Sequence, residues 1–239
     1  MSRRPGFSVA IIGPDGAGKT TVSRRLATEL PFPTYYLYMG DNAEAVNHSL
    51  PTTRFAARLR RRRGRPLDAG PPDDRRLIAP RRSPINRVLR GTKSVARAVN
   101  QMAEEWYRQG VAWRQQARGT VVLFDRHFFA DYYAYDVVGK RGESSLGRSI
   151  HGFALRHAYP RPDVIVYLDA PPAVLFARKG EGTIESLARR RDDYLAMRDH
   201  VDHFHVVDAD QPIAAVIRDV AAILEHHRSA GSQRRGADR

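Results

Sequence analysis

The stretch AIIGPDGAGKTTVSRRL, from Ala10 to Leu26, decides the fold of this 239-residue chain. It begins in an apolar run, passes through three glycines and continues with apolar residues four positions apart. That order predicts a buried strand, a tight loop and a helix. Glycines let the loop point its backbone N–H groups at phosphate oxygens, and the helix N-terminus adds partial positive charge. The stretch therefore predicts a phosphate-binding loop.

Two side chains in this loop have predicted roles toward a nucleotide and its metal. Lys19 supplies a positive charge for the β- and γ-phosphates, and Thr20 offers its hydroxyl to Mg²⁺. Pro14 and Asp15 are less constrained by the geometry of a bound phosphate, so they can distinguish one class of phosphate-binding protein from another.

Strand-like and helix-like segments alternate along the rest of the chain. This alternation predicts an α/β fold of the P-loop NTPase type, with a doubly wound parallel five-stranded sheet and helices on both faces. The predicted strands are 7–12, 34–39, 120–124, 163–168 and 204–207, and the predicted helices are 20–30, 53–62, 92–118, 128–138, 146–157, one opening at 171–172, and 212–226.

Length and composition predict a single domain over residues 1–228, with a basic proline- and arginine-rich insertion at 41–91 and a disordered tail at 229–239. The chain has no cysteine, which excludes disulfides, thiolate metal sites and cysteine nucleophiles. No run approaches 18 consecutive apolar residues, so we expect no membrane span and a cytoplasmic protein.

The formal net charge of +14 suits nucleic acids, anionic surfaces or phosphorylated substrates. Much of it lies in arginine runs within the insertion and in the tail. Runs of this kind are more often solvated or disordered than specific binding sites, and no recognised nucleic-acid module accompanies them. A nucleic-acid partner is therefore not favoured.

Two further groups of charged residues suit phosphoryl transfer. Asp125 directly follows a buried strand, where an acid can hold Mg²⁺ beside the loop threonine, and Arg126 then lies at the sheet edge that binds ligands. The arginine-rich segment 178–191 contains two glycines. We predict that it forms a lid, which closes over the nucleotide and brings positive charge to the phosphates.

Together these segments resemble the thymidylate kinase family, within the P-loop nucleoside and nucleotide kinases. GPDGAGKTT is similar to the family's glycine loop, and GTVVLFDR, residues 119–126, to its Gly-x-x-Val-x-x-Asp-Arg signature. RPDVIVYLDAPPAVLFAR, residues 161–178, resembles its Tyr-Leu-Asp-x-Pro-Pro segment, and VVDADQPIAAV, residues 206–216, resembles its adenine-pocket stretch. The resemblance covers roughly residues 7–40 and 92–227.

The resemblance implies an ATP- and Mg²⁺-dependent kinase in which Arg126 contacts the acceptor or a phosphate and Asp15 lies near the acceptor. The implied ATP-binding residues are Gly13, Pro14, Asp15, Gly16, Ala17, Gly18, Lys19, Thr20 and Thr21, with Asp208 and Ala209 beside the adenine. The implied metal-binding residues are Thr20 and Asp125, the catalytic residues Lys19, Arg126 and Arg178, and the lid arginines Arg178, Arg189, Arg190 and Arg191.

The chain departs from the family where the acceptor phosphate is bound. After the second strand the family carries Arg-Glu-Pro-Gly, whereas this chain reads YMGDNAE, with Asp41 as its first acid. On the helix before the third strand, Ala103-Glu104-Glu105 replaces the family's Asp-Arg, although Arg97 or Arg108 could substitute.

The segment DRHFFADYYAYD, residues 125–136, resembles instead the acid-Arg-x-x-x-x-Asp-x-Tyr pattern of deoxynucleoside kinases. That resemblance implies acceptor contacts from Asp131 and Tyr132. Those kinases also carry a catalytic carboxylate after the second strand, and Asp41 could serve as such a general base on a neutral hydroxyl.

Three functional hypotheses follow from the sequence. The first is a thymidylate kinase-like transfer from ATP to a nucleoside monophosphate, dTMP to dTDP. The second is the same machinery acting on a neutral hydroxyl of a deoxynucleoside or sugar, with Asp41 as base. The third, more remote, is a nucleotide-dependent protein that binds nucleic acid. Self-association into a homodimer is left open.

Overall fold

Five parallel strands form one sheet in the computed structural model, which describes residues 6–40, 84–127 and 160–237. The strand order is β2-β3-β1-β4-β5, which is the doubly wound arrangement that the sequence predicts. Every strand bound lies within one residue of its prediction, because short apolar runs between turn residues mark buried parallel strands clearly. The strands are β1 Ser8–Ile12, β2 Thr34–Tyr38, β3 Val121–Asp125, β4 Val164–Asp169 and β5 Phe204–Asp208.

Helices cover both faces of the sheet, as predicted. Alternate residues of β1 point to opposite faces, so Val9 and Ile11 join one core cluster while Ala10 and Ile12 join another. The helices are α1 Lys19–Glu29, α2 Pro84–Ala117, α3 Pro172–Lys179, α4 Ile184–Leu195 with the 3-10 turn Ala196–His200, and α5 Ile213–Ala237.

The first core cluster lies between the sheet and helices α1 and α5, which contribute Val22, Leu26, Val216 and Val220. The second lies on the opposite face and includes Ala112 of α2, Tyr194 of α4 and Met197. The two clusters fix α1 and its preceding loop against the carboxyl end of β1.

The strand register brings three acids to one edge of the sheet. Ile11 of β1 pairs with Asp125 at the end of β3, and Asp169 at the end of β4 pairs with Asp208 at the end of β5. Parallel strands end on the same side, so these carboxylates share the edge from which the glycine loop leaves β1.

Two predicted boundaries were wrong. Helix α2 begins at Pro84 rather than near residue 92, so the end of the expected irregular insertion is helical. Proline is tolerated in the first turn of a helix, where its missing N–H costs nothing, and Ile85, Val88 and Leu89 continue the helical spacing. The rest of the insertion and the helices predicted at 53–62, 128–138 and 146–157 lie outside the described residues.

The second wrong boundary is at the C-terminal end. Helix α5 continues to Ala237, through most of the tail that was predicted to be disordered from residue 229. The segment after Arg228 holds no proline, and its two glycines, Gly231 and Gly236, each lower helix stability by only about 1 kcal/mol. Within the described ranges, no helix is long and apolar enough to cross a membrane.

His127, two residues past the end of β3, gives the fold a pH dependence. Its ring is fully buried and meets the ring of Phe124 edge-on at 4.9 Å. Burial lowers the pKa of His127 to about 3, so the folded protein holds this imidazole neutral where the unfolded chain would protonate it.

We expect the free energy of unfolding to fall as the pH is lowered from 6.5 to 4.5, because only the unfolded state gains a proton at His127 there. One such group removes up to about 1.4 kcal/mol per pH unit. Urea unfolding at several pH values measures this slope, and His127→Gln should flatten it. The pKa values of His205 and His227 are also lowered by burial, and these two residues contribute equally to the slopes of the wild-type protein and of His127→Gln. Equal slopes would contradict the assignment.

Candidate active site

The glycine loop between β1 and α1 contains two residues whose backbone conformation favours glycine. Gly16 and Gly18 have φ values of 91° and 85°, in the left-handed region that favours glycine. At Gly16 the packing is also tight, since a Cβ atom would lie 2.8 Å from the carbonyl oxygen of Leu175. The loop therefore presses against helix α3 while its N–H groups remain at the sheet edge.

Lys19 lies folded over this loop. Its side chain is buried, and Nζ donates to the carbonyl oxygens of Gly13 and Pro14 at 2.8 and 2.7 Å. The same nitrogen is 3.7 Å from the carboxylate of Asp15. The predicted catalytic lysine is thus placed at the loop, together with Thr20 in the first turn of α1.

Asp15 lies at the centre of a cationic cluster, formed by Lys19, Arg126, Lys179 and Arg190. Arg126 Nη2 donates to Asp15 Oδ1 at 2.6 Å, while Lys179 Nζ and Arg190 Nη1 lie 3.7 and 3.6 Å from the carboxylate. Burial by itself raises the pKa of Asp15, but the charges of Lys19, Arg126 and Lys179 together lower it to about 2. Asp15 is therefore ionised at neutral pH.

Arg126 reaches Asp15 from a strained backbone position. Within the described ranges it is the one non-glycine residue in the left-handed region, with φ at 67°. Its N–H donates to the carbonyl oxygen of Ile11 at 3.2 Å, which fixes the turn directly after β3. Strain of this kind, about 1–3 kcal/mol, is kept in proteins mostly at functional positions.

Asp125 is fully buried one residue earlier. Its Oδ2 accepts a hydrogen bond from the Tyr36 hydroxyl at 2.8 Å, whereas Oδ1 has no hydrogen-bond partner among the described residues. Burial, followed by the charge of Asp125, raises the pKa of Tyr36, so the hydroxyl keeps its proton. An oxygen-only donor set with one unsatisfied carboxylate oxygen fits Mg²⁺ held through water, with Thr20 as the hydroxyl donor.

A cavity of about 330 Å³ opens beside the loop. Arg178 lies on its wall and donates from Nη1 to the carbonyl oxygen of Ala209 at 2.9 Å, with Asp210 3.7 Å away. Asp208 is not part of the lining; its carboxylate accepts from the Asp210 N–H. The lining consists of Gly16, Ala17, Gly18, Thr21, Arg178, Ala209, Gln211, Ile213 and Val216.

The other three predicted lid arginines face in different directions, because consecutive residues of a helix are about 100° apart. Arg190 faces Asp15. Arg191 makes a bidentate pair with Asp169, with both N–O distances at 2.7 Å, which ties α4 to the end of β4. Arg189 is exposed on the outer face of α4, near Glu185.

Arg108 of α2 brings another cation to the end of β2. Its buried guanidinium donates to the carbonyl oxygen of Gly40 at 3.3 Å and lies 3.4 Å from Glu104. A Cβ atom on Gly40 would lie 2.9 Å from Cδ of Arg126, so the two arginines flank this glycine. The structure thus places Arg108 close to the strand end after which the family's acceptor arginine is missing.

Comparison with known proteins finds sequence relatives among the thymidylate kinases. No family model matches the chain. A thymidylate kinase of Xanthomonas euvesicatoria pv. vesicatoria is 29% identical over 229 residues, which cover 92% of this chain and 83% of the relative. A thymidylate kinase of Xylella fastidiosa strain 9a5c is 28% identical over 225 residues, covering 90% and 89%. The chain is thymidylate kinase-like.

A solved structure agrees with this assignment at the level of the fold. The thymidylate kinase of Candida albicans superposes with a TM-score of 0.62 at 15% sequence identity, and the match covers 94% of this chain and 93% of that one. The predicted family resemblance, the P-loop α/β fold and the class of ATP-dependent nucleotide kinase are confirmed.

Several residues of this thymidylate kinase-like site were not found from the sequence. Lys179 is adjacent in sequence to the predicted Arg178, but its approach to Asp15 depends on how α3 ends. Tyr36 was predicted only as part of a strand, and Gln211 only as part of the adenine-pocket stretch. Of the predicted acceptor-side residues, Asp41, Asp131 and Tyr132 lie outside the described residues.

Two glycine substitutions distinguish the cost of a left-handed backbone conformation in the loop from the cost of a clash with α3. Gly16→Ala and Gly18→Ala both force a side chain into the left-handed region, which costs about 1–2 kcal/mol. Only Gly16→Ala also meets backbone atoms, since no atom lies within 4 Å of a Cβ at Gly18. We expect Gly16→Ala to lose about 1–3 kcal/mol more free energy of unfolding in urea titrations without nucleotide. Equal losses would show that α3 does not press on the loop.

Proposed function

We propose that this thymidylate kinase-like chain transfers the γ-phosphate of ATP to dTMP, giving ADP and dTDP. A phosphate oxygen of dTMP attacks the γ-phosphorus in line, and the bond from that phosphorus to the β–γ bridging oxygen breaks. The observation that carries the proposal is the cationic cluster of Lys19, Arg126, Lys179 and Arg190 at the glycine loop. The name of the acceptor comes from the thymidylate kinases that the chain resembles.

The donor half of the site is the loop together with the cavity beside it. We assign the triphosphate to the loop residues 13–21 and the adenosine to the cavity walled by Ala209, Ile213 and Val216. Arg178 donates to the carbonyl oxygen of Ala209 and lines the same cavity as the loop residues Gly16 and Gly18. A concave site with apolar walls and few polar groups is typical of ligand pockets of this size.

Catalysis in this proposal is electrostatic. Negative charge develops on the equatorial and bridging oxygens during transfer, and preorganised cations lower the energy of that state. Lys19 acts from the loop, Arg126 from the end of β3, and Arg190 from α4 in the lid. Mg²⁺ held at Thr20 and Asp125 supplies further charge neutralisation to the β- and γ-phosphates when it is bound.

The acceptor side rests on Arg126 and its neighbours at the end of β2. An anionic acceptor phosphate needs a cation and no general base, and Arg126 with Arg108 across Gly40 supplies positive charge there. A neutral hydroxyl would instead need a base such as Asp41. We therefore favour the phosphorylated acceptor. We place the enzyme in the cytoplasm, where its nucleotide substrates are found.

An acceptor screen tests the proposed reaction. The purified full chain, labelled ATP and Mg²⁺ are offered dTMP, thymidine, other nucleoside monophosphates and simple sugars. We expect label in dTDP and none in a product of thymidine or a sugar. Lys19→Ala should lower the rate by about 10²-fold or more, because a cation for the transition state is lost.

The control for that variant is Arg118→Ala, which removes a positive charge from an exposed side chain directly after α2 and should keep the wild-type rate. Transfer to thymidine but not to dTMP would replace the proposed reaction by the neutral-hydroxyl one. Wild-type activity of Lys19→Ala would remove the glycine loop from the mechanism.

We also propose that the chain forms a homodimer through one face of α2. Val99, Trp106 and Trp113 recur there every seven residues and are exposed, and the two indoles meet edge-on at 5.9 Å. The exposed small residues Ala103 and Gly110 lie between them, so large and small side chains alternate at spacings of four and three. That spacing is the pattern of a helix–helix seam, and one face carrying both knobs and holes suits pairing with its own copy.

Light scattering on a gel-filtration column tests this face. One chain has a mass of 27.0 kDa, and we expect the wild-type protein at twice that mass and Trp106→Glu at the mass of one chain. Val206→Glu is the control, because this valine on β5 is as exposed as Trp106, at 37% against 38%. A monomeric wild-type protein, or a dimeric Trp106→Glu variant, would contradict the proposed interface.

A further inference from the structure

We propose that Tyr36 is a positioning residue that orients the carboxylate of Asp125 toward the metal. The role of Asp125 as a metal-binding residue is part of the proposed function, and the role of Tyr36 is an addition to it. Tyr36 lies on the edge strand β2, 89 positions from Asp125 along the chain. No sequence motif connects the two residues.

The sheet register brings the two side chains together. Tyr38 pairs with Asp125 and Tyr36 pairs with Leu123, so Tyr36 stands two positions before the residue opposite Asp125. Residues two apart on a strand share a face, and a tyrosine is long enough to reach its diagonal neighbour. Its hydroxyl meets Asp125 Oδ2 at 2.8 Å.

The direction of this hydrogen bond follows from the chemistry of its two partners. Its donor is a tyrosine hydroxyl and its acceptor is a carboxylate oxygen. An ionised carboxylate can only accept hydrogen bonds. The Tyr36 hydroxyl therefore donates to Asp125 Oδ2, and the guanidinium of Arg24 on α1 lies 5.7 Å from the centre of the Tyr36 ring, in cation–π contact.

This directed bond distinguishes the two oxygens of Asp125. The terminal torsion of an aspartate is broad, so packing alone leaves the rotation of the carboxylate loosely defined. With Oδ2 held by Tyr36, Oδ1 is the oxygen that remains buried without a partner among the described residues. It is thus the oxygen available to a water molecule on the metal.

The chain of contacts also joins the two halves of the metal site. Arg24 lies one helical turn after Thr20 on α1, and Asp125 ends β3. Tyr36, on β2, connects them through its ring and hydroxyl. Removal of the hydroxyl alone would break this connection while leaving the ring in place.

The test compares Tyr36→Phe with Tyr35→Phe, the same chemical change at the adjacent strand position on the opposite face. Calorimetry measures the affinity of each full-length protein for ADP in EDTA and in excess Mn²⁺, and the ratio of the two affinities is the metal enhancement. We expect Tyr36→Phe to bind ADP in EDTA as the wild-type protein does. Its metal enhancement should fall about tenfold or more, as for other residues that orient a metal ligand.

Asp125→Asn should show at least as large a loss of metal enhancement, and Tyr35→Phe none. Wild-type enhancement in Tyr36→Phe would overturn the proposal, as would an equal loss in Tyr35→Phe. If Tyr36→Phe fails to fold, Arg24→Leu replaces it, because it removes the cation that contacts the Tyr36 ring from α1, and we expect a several-fold loss there. Unchanged enhancement in Arg24→Leu would then overturn the proposal.

The outcome is separate from that of the acceptor screen. A protein that transfers phosphate to no acceptor, yet loses metal enhancement in Tyr36→Phe, would refute the proposed reaction and support the role of Tyr36. A protein that makes dTDP, but whose metal enhancement is unaltered in Tyr36→Phe, would support the proposed reaction and refute the role of Tyr36.

Discussion

The parallel register of the sheet is the constraint on which the site depends. Because all five strands end on one side, the glycine loop after β1, the Asp125-Arg126 pair after β3 and Asp169 at the end of β4 share one edge. The three central strands, β1, β3 and β4, are buried on both faces, so their positions are set by the hydrophobic core and not by the charged groups at their ends. The core therefore provides the rigidity that a set of closely spaced charges requires.

The charged side chains at that edge differ in how firmly their contacts hold them in place. Asp125 is fully buried and tied to Tyr36, and Arg126 is held by its backbone turn and by Asp15. Farther out, Lys179 and Arg190 approach the same carboxylate from α3 and α4 at longer distances, where ion pairs are weaker and more exposed to solvent. The inner groups suit fixed roles, and the outer groups suit a segment that closes on a nucleotide.

The sequence predicted those parts of the fold that local pattern determines. Apolar runs located all five strands, and three glycines with Lys19 located the loop. The end of α5 was missed, because a helix that continues through polar residues has no strong periodic signal. The partners of Asp15 and Asp125 were missed for another reason: Arg126 and Tyr36 are 111 and 89 positions away from them along the chain, and only the sheet register makes them neighbours.

The carboxylate of Asp15 affects how strongly ATP binding depends on ionic strength. In the structure the Asp15 carboxylate already lies among the cations of the loop, α3 and α4, and in the proposed reaction a triphosphate that binds there takes over contacts that Asp15 now holds. ATP binding then replaces the Asp15 carboxylate by the triphosphate as the anion that contacts these cations. Since part of the positive charge is neutralised beforehand, fewer solution anions need to be released. Affinity for ATP should therefore depend on ionic strength less steeply than the number of nearby lysines and arginines suggests.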